Sequence, residues 1–178
     1  KQNLTIQNPK WLENQRLGRW NGSTPEFLKF FEETETGEVI IPRGYARNLI
    51  DLCRRHSVSF TLNDQRRNLE PVEIPFTGKL RDFQVHACEE VMKKDFGTLN
   101  APTGAGKTVM GIYIAAMRKQ SCLIIVHTKD LALQWVERIA AFTGIGPEEV
   151  GVIGSGEKRI GRAFTVGTVQ SIYKCAAE

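Results

Sequence analysis

Residues 101–108 read Ala101, Pro102, Thr103, Gly104, Ala105, Gly106, Lys107, Thr108, and they stand between a short apolar stretch and a long apolar one. Two glycines separated by a single residue allow a tight backbone turn whose successive N–H groups can face one anion. The segment that follows, Val109, Met110, Gly111, Ile112, Tyr113, Ile114, Ala115, Ala116, Met117, is apolar on nearly every side, as a helix packed onto a sheet must be. Strand, glycine turn and helix in that order predict a phosphate-binding loop: the helix N-terminus adds its positive dipole end, Lys107 supplies a charge for the outer phosphates, and Thr108 offers a hydroxyl to Mg²⁺. The strict pattern begins with glycine, and Ala101 places this octapeptide in the relaxed form that admits alanine there. A chain built around such a loop is constrained to an α/β fold with a parallel sheet.

The remaining composition sets the surroundings of that loop. A chain of 178 residues with 41% hydrophobic content can bury a sizeable core in one or two domains. Its N-terminus is polar and its longest strictly apolar stretches, such as residues 123–126, are far too short to span a bilayer. A soluble, cytoplasmic protein with no membrane partner is expected. The 24 Lys and Arg against 20 Asp and Glu give a net charge of +4, compatible with a polyanionic partner without requiring one. Cys53, Cys88, Cys122 and Cys175 show no paired spacing and read as reduced thiols, while His56, His86 and His127 form no cluster with cysteines or carboxylates, so no structural metal is expected.

The first seventy-odd residues carry an αβ pattern of their own and end at Pro71, Val72, Glu73, Ile74, Pro75, whose two prolines read as an extended linker. The domain boundary is placed at 76. Before it, residues 27–32 and 39–41 are strand candidates around the turn signal Glu35, Thr36, Gly37, residues 43–56 have helical spacing through Tyr45, Leu49, Leu52 and Cys53, and residues 58–62 alternate as a strand. Basic residues concentrate in this part, with Arg43, Arg47, Arg54 and Arg55 on the helix and Arg66 and Arg67 after the last strand. They suit either a phosphate backbone or a solvated helix face. Arg16, Arg19, Trp20, Asn21 and Gly22 form an aromatic and cationic turn that could equally be a structural corner.

The second part alternates strand and helix: a helix over 80–94, a short strand at Leu99, the helix over 108–117, a strand over 122–126, a helix over 130–142 closed by Gly144, and strands over 150–153 and 164–170 that flank Gly154, Ser155, Gly156. This predicts a small N-terminal α+β domain over 1–76, then a parallel sheet with helices on both faces over 77–178.

Three further segments frame the loop. Leu80, Arg81, Asp82, Phe83, Gln84 precedes it by one helix; Val126, His127, Thr128, Lys129 closes the next strand; Val166, Gly167, Thr168, Val169, Gln170, Ser171 closes the last. With the octapeptide as motif I, they resemble the Q motif, motif Ia and motif Ib of superfamily 2 helicases. The string Leu80 to Gln84 and the pair Gln134, Trp135 are similar to the branch holding xeroderma pigmentosum group B-like, type III restriction subunit-like and phage UvsW-like enzymes. The N-terminal run through Asn8, Pro9, Arg19, Trp20, Asn21, Gly22 and on to Ile41, Pro42, Arg43, Gly44 is similar to the small DNA-contacting domain before the core in the UvsW-like members. The resemblance implies an incomplete RecA-like P-loop domain that binds ATP and Mg²⁺. It puts Gln84 on the adenine edge, since an amide can donate and accept at once, with Arg81 and Phe83 beside it. Pro102, Thr103, Gly104, Ala105, Gly106, Lys107 and Thr108 hold the phosphates, Lys107 and Thr108 in catalytic roles and Thr108 on the metal. Thr128 and Lys129 in Ia, and Gly167, Thr168 and Gln170 in Ib, are implied contacts to a nucleic-acid backbone, which carries no sequence information. DNA is the expected partner and RNA stays open.

The family's acidic DExH or DEAD string, its coupling motif and its second RecA-like domain are absent from these residues. The chain is therefore expected to be a fragment of a helicase or translocase, with weak or no ATP hydrolysis by itself because phosphoryl transfer needs metal carboxylates and a positioned water. Three other readings fit parts of the sequence: a P-loop kinase or GTPase, against which the Gln84 segment argues, a nucleic-acid-binding module without motor activity, and the translocating subunit of a restriction enzyme.

Overall fold

In the computed structural model, which describes residues 1–66, 69–154 and 156–175, the chain divides into two units, Lys1–Asp64 and Gln65–Glu178. The first unit opens with Thr5–Gln7 (β1) and Pro9–Arg16 (α1). The start of α1 follows from two residues. Pro9 takes the first helical position, where its missing N–H costs nothing, and the Asn8 side chain accepts from Lys10 N at 3.0 Å. Asn8 is buried and also donates to the Pro25 carbonyl at 2.8 Å, tying the helix to the approach of Phe27–Lys29 (β2), which pairs antiparallel with β1.

Glu32–Glu33 (β3) pairs antiparallel with Val39–Ile40 (β4) around Gly37, whose φ of +84° is the left-handed turn conformation glycine favours. The single strand predicted over 27–32 is thus two short ones with different partners. A 3₁₀ turn, Arg43–Tyr45, leads into Ala46–Arg55 (α2). The strand predicted over 58–62 is not formed: Val58, Phe60 and Leu62 are exposed and meet no ladder partner among the described residues. Alternation marks a strand only where a neighbour exists to complete its hydrogen bonds.

The second unit contains Asp82–Met92 (α3), Lys107–Arg118 (α4), Cys122–Val126 (β5), Lys129–Thr143 (α5), Gly151–Gly154 (β6), Glu157–Arg159 (β7), Phe164–Thr168 (β8) and Val169–Cys175 (α6). Its sheet has the order β5-β8-β6-β7, parallel at β5-β8 and β6-β8 and antiparallel at the β6-β7 hairpin. β8 is buried along its whole length because it lies between two strands with helices over both faces. Phe164 and Val166 face Ile112, Ala115 and Ala116 of α4 and Val136 and Ile139 of α5. On the other face, a Cβ at Gly167 would stand 2.7 Å from Ile172 Cδ1, so its bare backbone lets α6 close down.

The residues read as a linker before 76 belong to the second unit. Val72 and Ile74 are in its core, Val72 N donates to the Lys119 carbonyl at 2.9 Å, and the Glu73 carboxylate between them pairs with Lys119 Nζ at 2.8 Å. The strand expected at Leu99 is absent from the described structure: residues 94–106 hold no regular element and have no ladder partner in the sheet. No helix of the described residues is long and apolar enough to cross a membrane.

Candidate functional site

The C-terminal end of α4 meets the N-terminal end of β5 through residues 119–121. The N-terminus of α4 therefore points to the carboxyl ends of the parallel strands, the edge where open α/β sheets hold their ligands. The octapeptide sits at that N-terminus. Gly104 and Gly106 both have φ of +82°, and Gly106 is the N-cap residue of α4. A Cβ at Gly106 would lie 2.5 Å from Gln84 Nε2, so this position is glycine for its backbone and for its neighbour alike. Nothing stands within 4 Å of the corresponding position at Gly104, which faces open space.

No side chain caps α4. Its first N–H groups have no intrahelical partner and, together with the positive end of the helix dipole, form a donor set suited to an anion. The Ala105 N–H is turned back onto the Pro102 carbonyl at 3.2 Å. Lys107 Nζ donates to the Ala101 carbonyl at 2.8 Å and the Pro102 carbonyl at 3.0 Å, so the exposed ammonium is folded across the entrance of the turn. Thr108 is half-buried in the first turn of α4. The unpaired helix donors, the open face at Gly104 and the adjoining ammonium fit the phosphates of a nucleotide.

Gln84 is buried, so its amide faces the protein and not solvent. Its Oε1 accepts from Arg81 N at 2.9 Å and its Nε2 donates to the Ala105 carbonyl at 2.8 Å. One side chain thus closes the first turn of α3 and holds the middle of the glycine turn. Phe83 shows about half its ring to solvent and Arg81 is exposed, both at the same helix start. What fixes α3 there is Cys88, one turn after Gln84 on the same face: it is fully buried and its Sγ lies 3.9 Å from the Met110 carbonyl of α4. Burial pushes the thiols of Cys88 and Cys122 above their ordinary range, the direction of inert packing groups. The bond between Gln84 and the turn is not legible in the sequence; the four-residue spacing of Gln84 and Cys88, which puts both on one helix face, is the signal that could have pointed to it.

Gln84→Ala leaves a donor at Arg81 N and an acceptor at Ala105 O without partners, so we expect a loss of about 1–3 kcal/mol in urea unfolding, and Gln84→Glu should also destabilise, because it buries a carboxylate with one oxygen against the Ala105 carbonyl.

The residues expected to touch nucleic acid divide into two sets. Thr128, Lys129 and Gln170 are exposed. Thr128 and Lys129 follow the carboxyl end of β5, and Gln170 follows that of β8, brought side by side by the pairing of Val126 with Thr168. Gly167 and Thr168 are buried; Thr168 Oγ1 donates to Ser171 Oγ at 3.0 Å, fixing the turn into α6. Thr128 also caps α5, its Oγ1 accepting from Leu131 N at 3.3 Å. Thr128→Ala should cost about 1 kcal/mol of stability from the cap alone, and Thr128→Ser should restore it; chemical denaturation of the two variants is the check. In the first unit, Arg43, Arg47, Arg54 and Arg55 are all exposed, with Arg54 3.8 Å from the Asp51 carboxylate of its own helix. Arg67 and Ser155 lie outside the described residues, and Arg66 pairs with Asp95 at 3.1 Å.

Residues 77–178 match the family described as type III restriction enzyme, res subunit. The chain is 40% identical over 100 residues to the DNA 3'-5' translocase XPB2 of Sulfurisphaera tokodaii, covering 56% of this chain and 22% of that protein. It is 33% identical over 165 residues to L396 of Acanthamoeba polyphaga mimivirus, a protein named as a candidate ATP-dependent RNA helicase, covering 86% of this chain and 30% of that one. The crystal structure of the UvsW helicase of bacteriophage T4 shares the fold with a TM-score of 0.64 at 16% identity, over 97% of this chain and 68% of that one. The chain spans between about a fifth and a third of the length of these two curated relatives.

Proposed function

Because the chain belongs to the type III restriction enzyme res subunit family, among the superfamily 2 helicases and translocases, we propose that it supplies the ATP-binding half-site and part of the nucleic-acid track of an ATP-dependent DNA translocase. One observation carries this reading. The uncapped N-terminus of α4 opens toward the carboxyl edge of the sheet, with Lys107 at its mouth and Gln84 fastened to the turn.

Each residue then has a task. The N–H groups of Gly104, Gly106, Lys107 and Thr108 would donate to phosphate oxygens, the Lys107 ammonium would exchange its two carbonyl partners for the outer phosphates, and the Thr108 hydroxyl would face Mg²⁺. Arg81, Phe83 and Gln84 would border the adenine, the half-exposed ring of Phe83 offering a packing surface. For Gln84 to read the base, its amide must give up or share a bond it now makes to Arg81 or Ala105, which would couple base recognition to the glycine turn. Bound ATP supplies the phosphoryl-transfer energy that drives movement. Hydrolysis needs metal carboxylates and a positioned water as well, and no DExH or DEAD string occurs in these 178 residues. By themselves they should bind nucleotide better than they turn it over.

Thr128, Lys129 and Gln170 at the strand ends would lie along one backbone, with Gly167 and Thr168 shaping the turn beneath them. Such contacts do not discriminate sequence, and the names of the relatives include both DNA and RNA enzymes. The test is nucleic-acid-stimulated ATP hydrolysis by the longer protein, with DNA and RNA effectors run side by side, with and without Lys107. Stimulation by RNA alone overturns the DNA assignment, and hydrolysis that ignores both the effector and Lys107 overturns the motor reading.

A further inference from the structure

Tryptophan is seldom left in water, because its indole buries more apolar area than any other side chain. Trp135 behaves accordingly and packs against the core of the second unit. Trp20 is 92% exposed. The turn that carries it is nevertheless tightly held. The Arg19 N–H donates to the Asn14 carbonyl at 2.8 Å, the Asn14 side chain donates to Asn21 Oδ1 at 3.1 Å, and the Asn21 carbonyl accepts from Thr24 N at 2.8 Å. Asn14, within α1, therefore clamps the chain on both sides of Trp20.

The ring itself is backed by Gly22. A Cβ there would stand 3.2 Å from Cζ3 and 3.4 Å from Cε3 of the indole, and Gly22 has φ of +52°. One part of the six-membered ring rests on bare backbone, and the rest of the indole faces solvent. Arg16, at the end of α1, and Arg19, the peptide neighbour of Trp20, are exposed and form no ion pair among the described residues.

A solvent-facing aromatic ring on a tightly held turn, with unpaired arginines at neighbouring positions of the chain, suits unpaired nucleotides: the ring stacks on a base, and the cations meet the flanking phosphates. We propose that Trp20 is a stacking platform for an unpaired base of single-stranded nucleic acid, with Arg16 and Arg19 on the adjoining phosphates. This rests on the nucleic-acid half of the reading above and is independent of its ATP half. It gives the first unit a role that requires unstacked bases. Holding the backbone of the turn in place before binding lowers the ordering cost of the contact.

The experiment uses the whole 178-residue chain without nucleotide, a fluorescein-labelled oligothymidylate and a blunt duplex of matched length, with affinities from fluorescence anisotropy over a range of salt. We expect Trp20→Ala to weaken oligothymidylate binding roughly 5- to 150-fold, the span that base-on-aromatic stacking carries, while duplex affinity stays unchanged and Trp20→Tyr recovers most of the loss. The salt slope should persist in Trp20→Ala and fall by about 0.7 in Arg19→Ala, since only the second removes a phosphate contact. Equal losses on both probes would mean that the turn merely supports the unit and would overturn the platform. No loss on either would mean that the indole takes no part in nucleic-acid binding and would overturn it too. If the wild-type chain binds neither probe, the nucleic-acid assignment itself fails. Because no nucleotide is present, none of these results bears on the ATP site.

Discussion

Lys107→Ala is expected to lower nucleic-acid-stimulated ATP hydrolysis by the longer protein by about 10²- to 10³-fold, the loss that follows removal of one preorganised donor from a developing phosphate charge. The structure says why the fold should survive. The bonds Lys107 makes are to the carbonyls of Ala101 and Pro102, at an exposed loop mouth where water can replace the ammonium. The glycine turn keeps its own support, from Gln84 to Ala105 and from Ala105 back to Pro102. Unfolding free energy should therefore move by no more than about 0.5 kcal/mol, the usual range for a surface substitution away from special features. Lys107→Arg separates charge from shape: the guanidinium keeps the positive charge but is a planar fork rather than a compact ammonium, and should leave most of the defect in place. A Lys107→Ala protein whose kcat and KM both match the wild type would remove the loop from the reaction and with it the proposed motor.

The parts of this site that could be read in advance are those whose chemistry is local. Gly104 and Gly106 adopt the positive φ that a glycine turn demands, and residues 122–126 form the strand that a continuous apolar run implies. Gly144 ends α5 in the left-handed conformation its position suggested. What could not be read is what depends on a partner. Residues 58–62 and Leu99 carry strand-like side chains, but a strand needs a second backbone at its edge, and no ladder partner stands beside either segment among the described residues. Pro71 and Pro75 resembled a linker because prolines disfavour regular structure, yet Val72 and Ile74 between them point into the core of the second unit.

Gln84 shows the same limit from the other side. Its residue type suggested an amide that donates and accepts, and it does both, but toward Arg81 and Ala105, a pairing set by the packing of α3 on α4 through Cys88 and Met110. In the first unit, Asn8 followed by Pro9 carried a legible helix start that the αβ pattern left unplaced.

Phe164→Ala should be the most destabilising single truncation in the second unit, costing about 3–5 kcal/mol out of a total that for a domain of this kind is on the order of 5–15 kcal/mol. Phe164 is the largest fully buried side chain, 1% exposed, and it opens β8, paired with Cys122 of β5 and followed at once by Thr165, which pairs with both β5 and β6. Alanine there removes the whole ring held among α4, α5 and the sheet, and a strand paired on both edges from the next residue onward cannot shift far to fill the space. Trp135 packs on the same core and, with Trp11 and Trp20 replaced by Tyr, is the single tryptophan reporter: its fluorescence should change at a lower urea concentration in Phe164→Ala, while the denaturant slope stays near the unsubstituted value if the same surface is exposed on unfolding. Phe164→Leu, which keeps more of the volume, should recover part of the loss. The effect should also reach the site, because β8 carries Thr168 to the carboxyl edge and sets Gly167 beneath α6. The oligonucleotide affinity proposed for Thr128, Lys129 and Gln170 should therefore fall in the range of urea where Trp135 reports opening, and remain intact below it. A destabilisation under about 1 kcal/mol would mean that the core collapses around the missing ring, and that the rigidity ascribed to β8 is not what holds the two strand ends together.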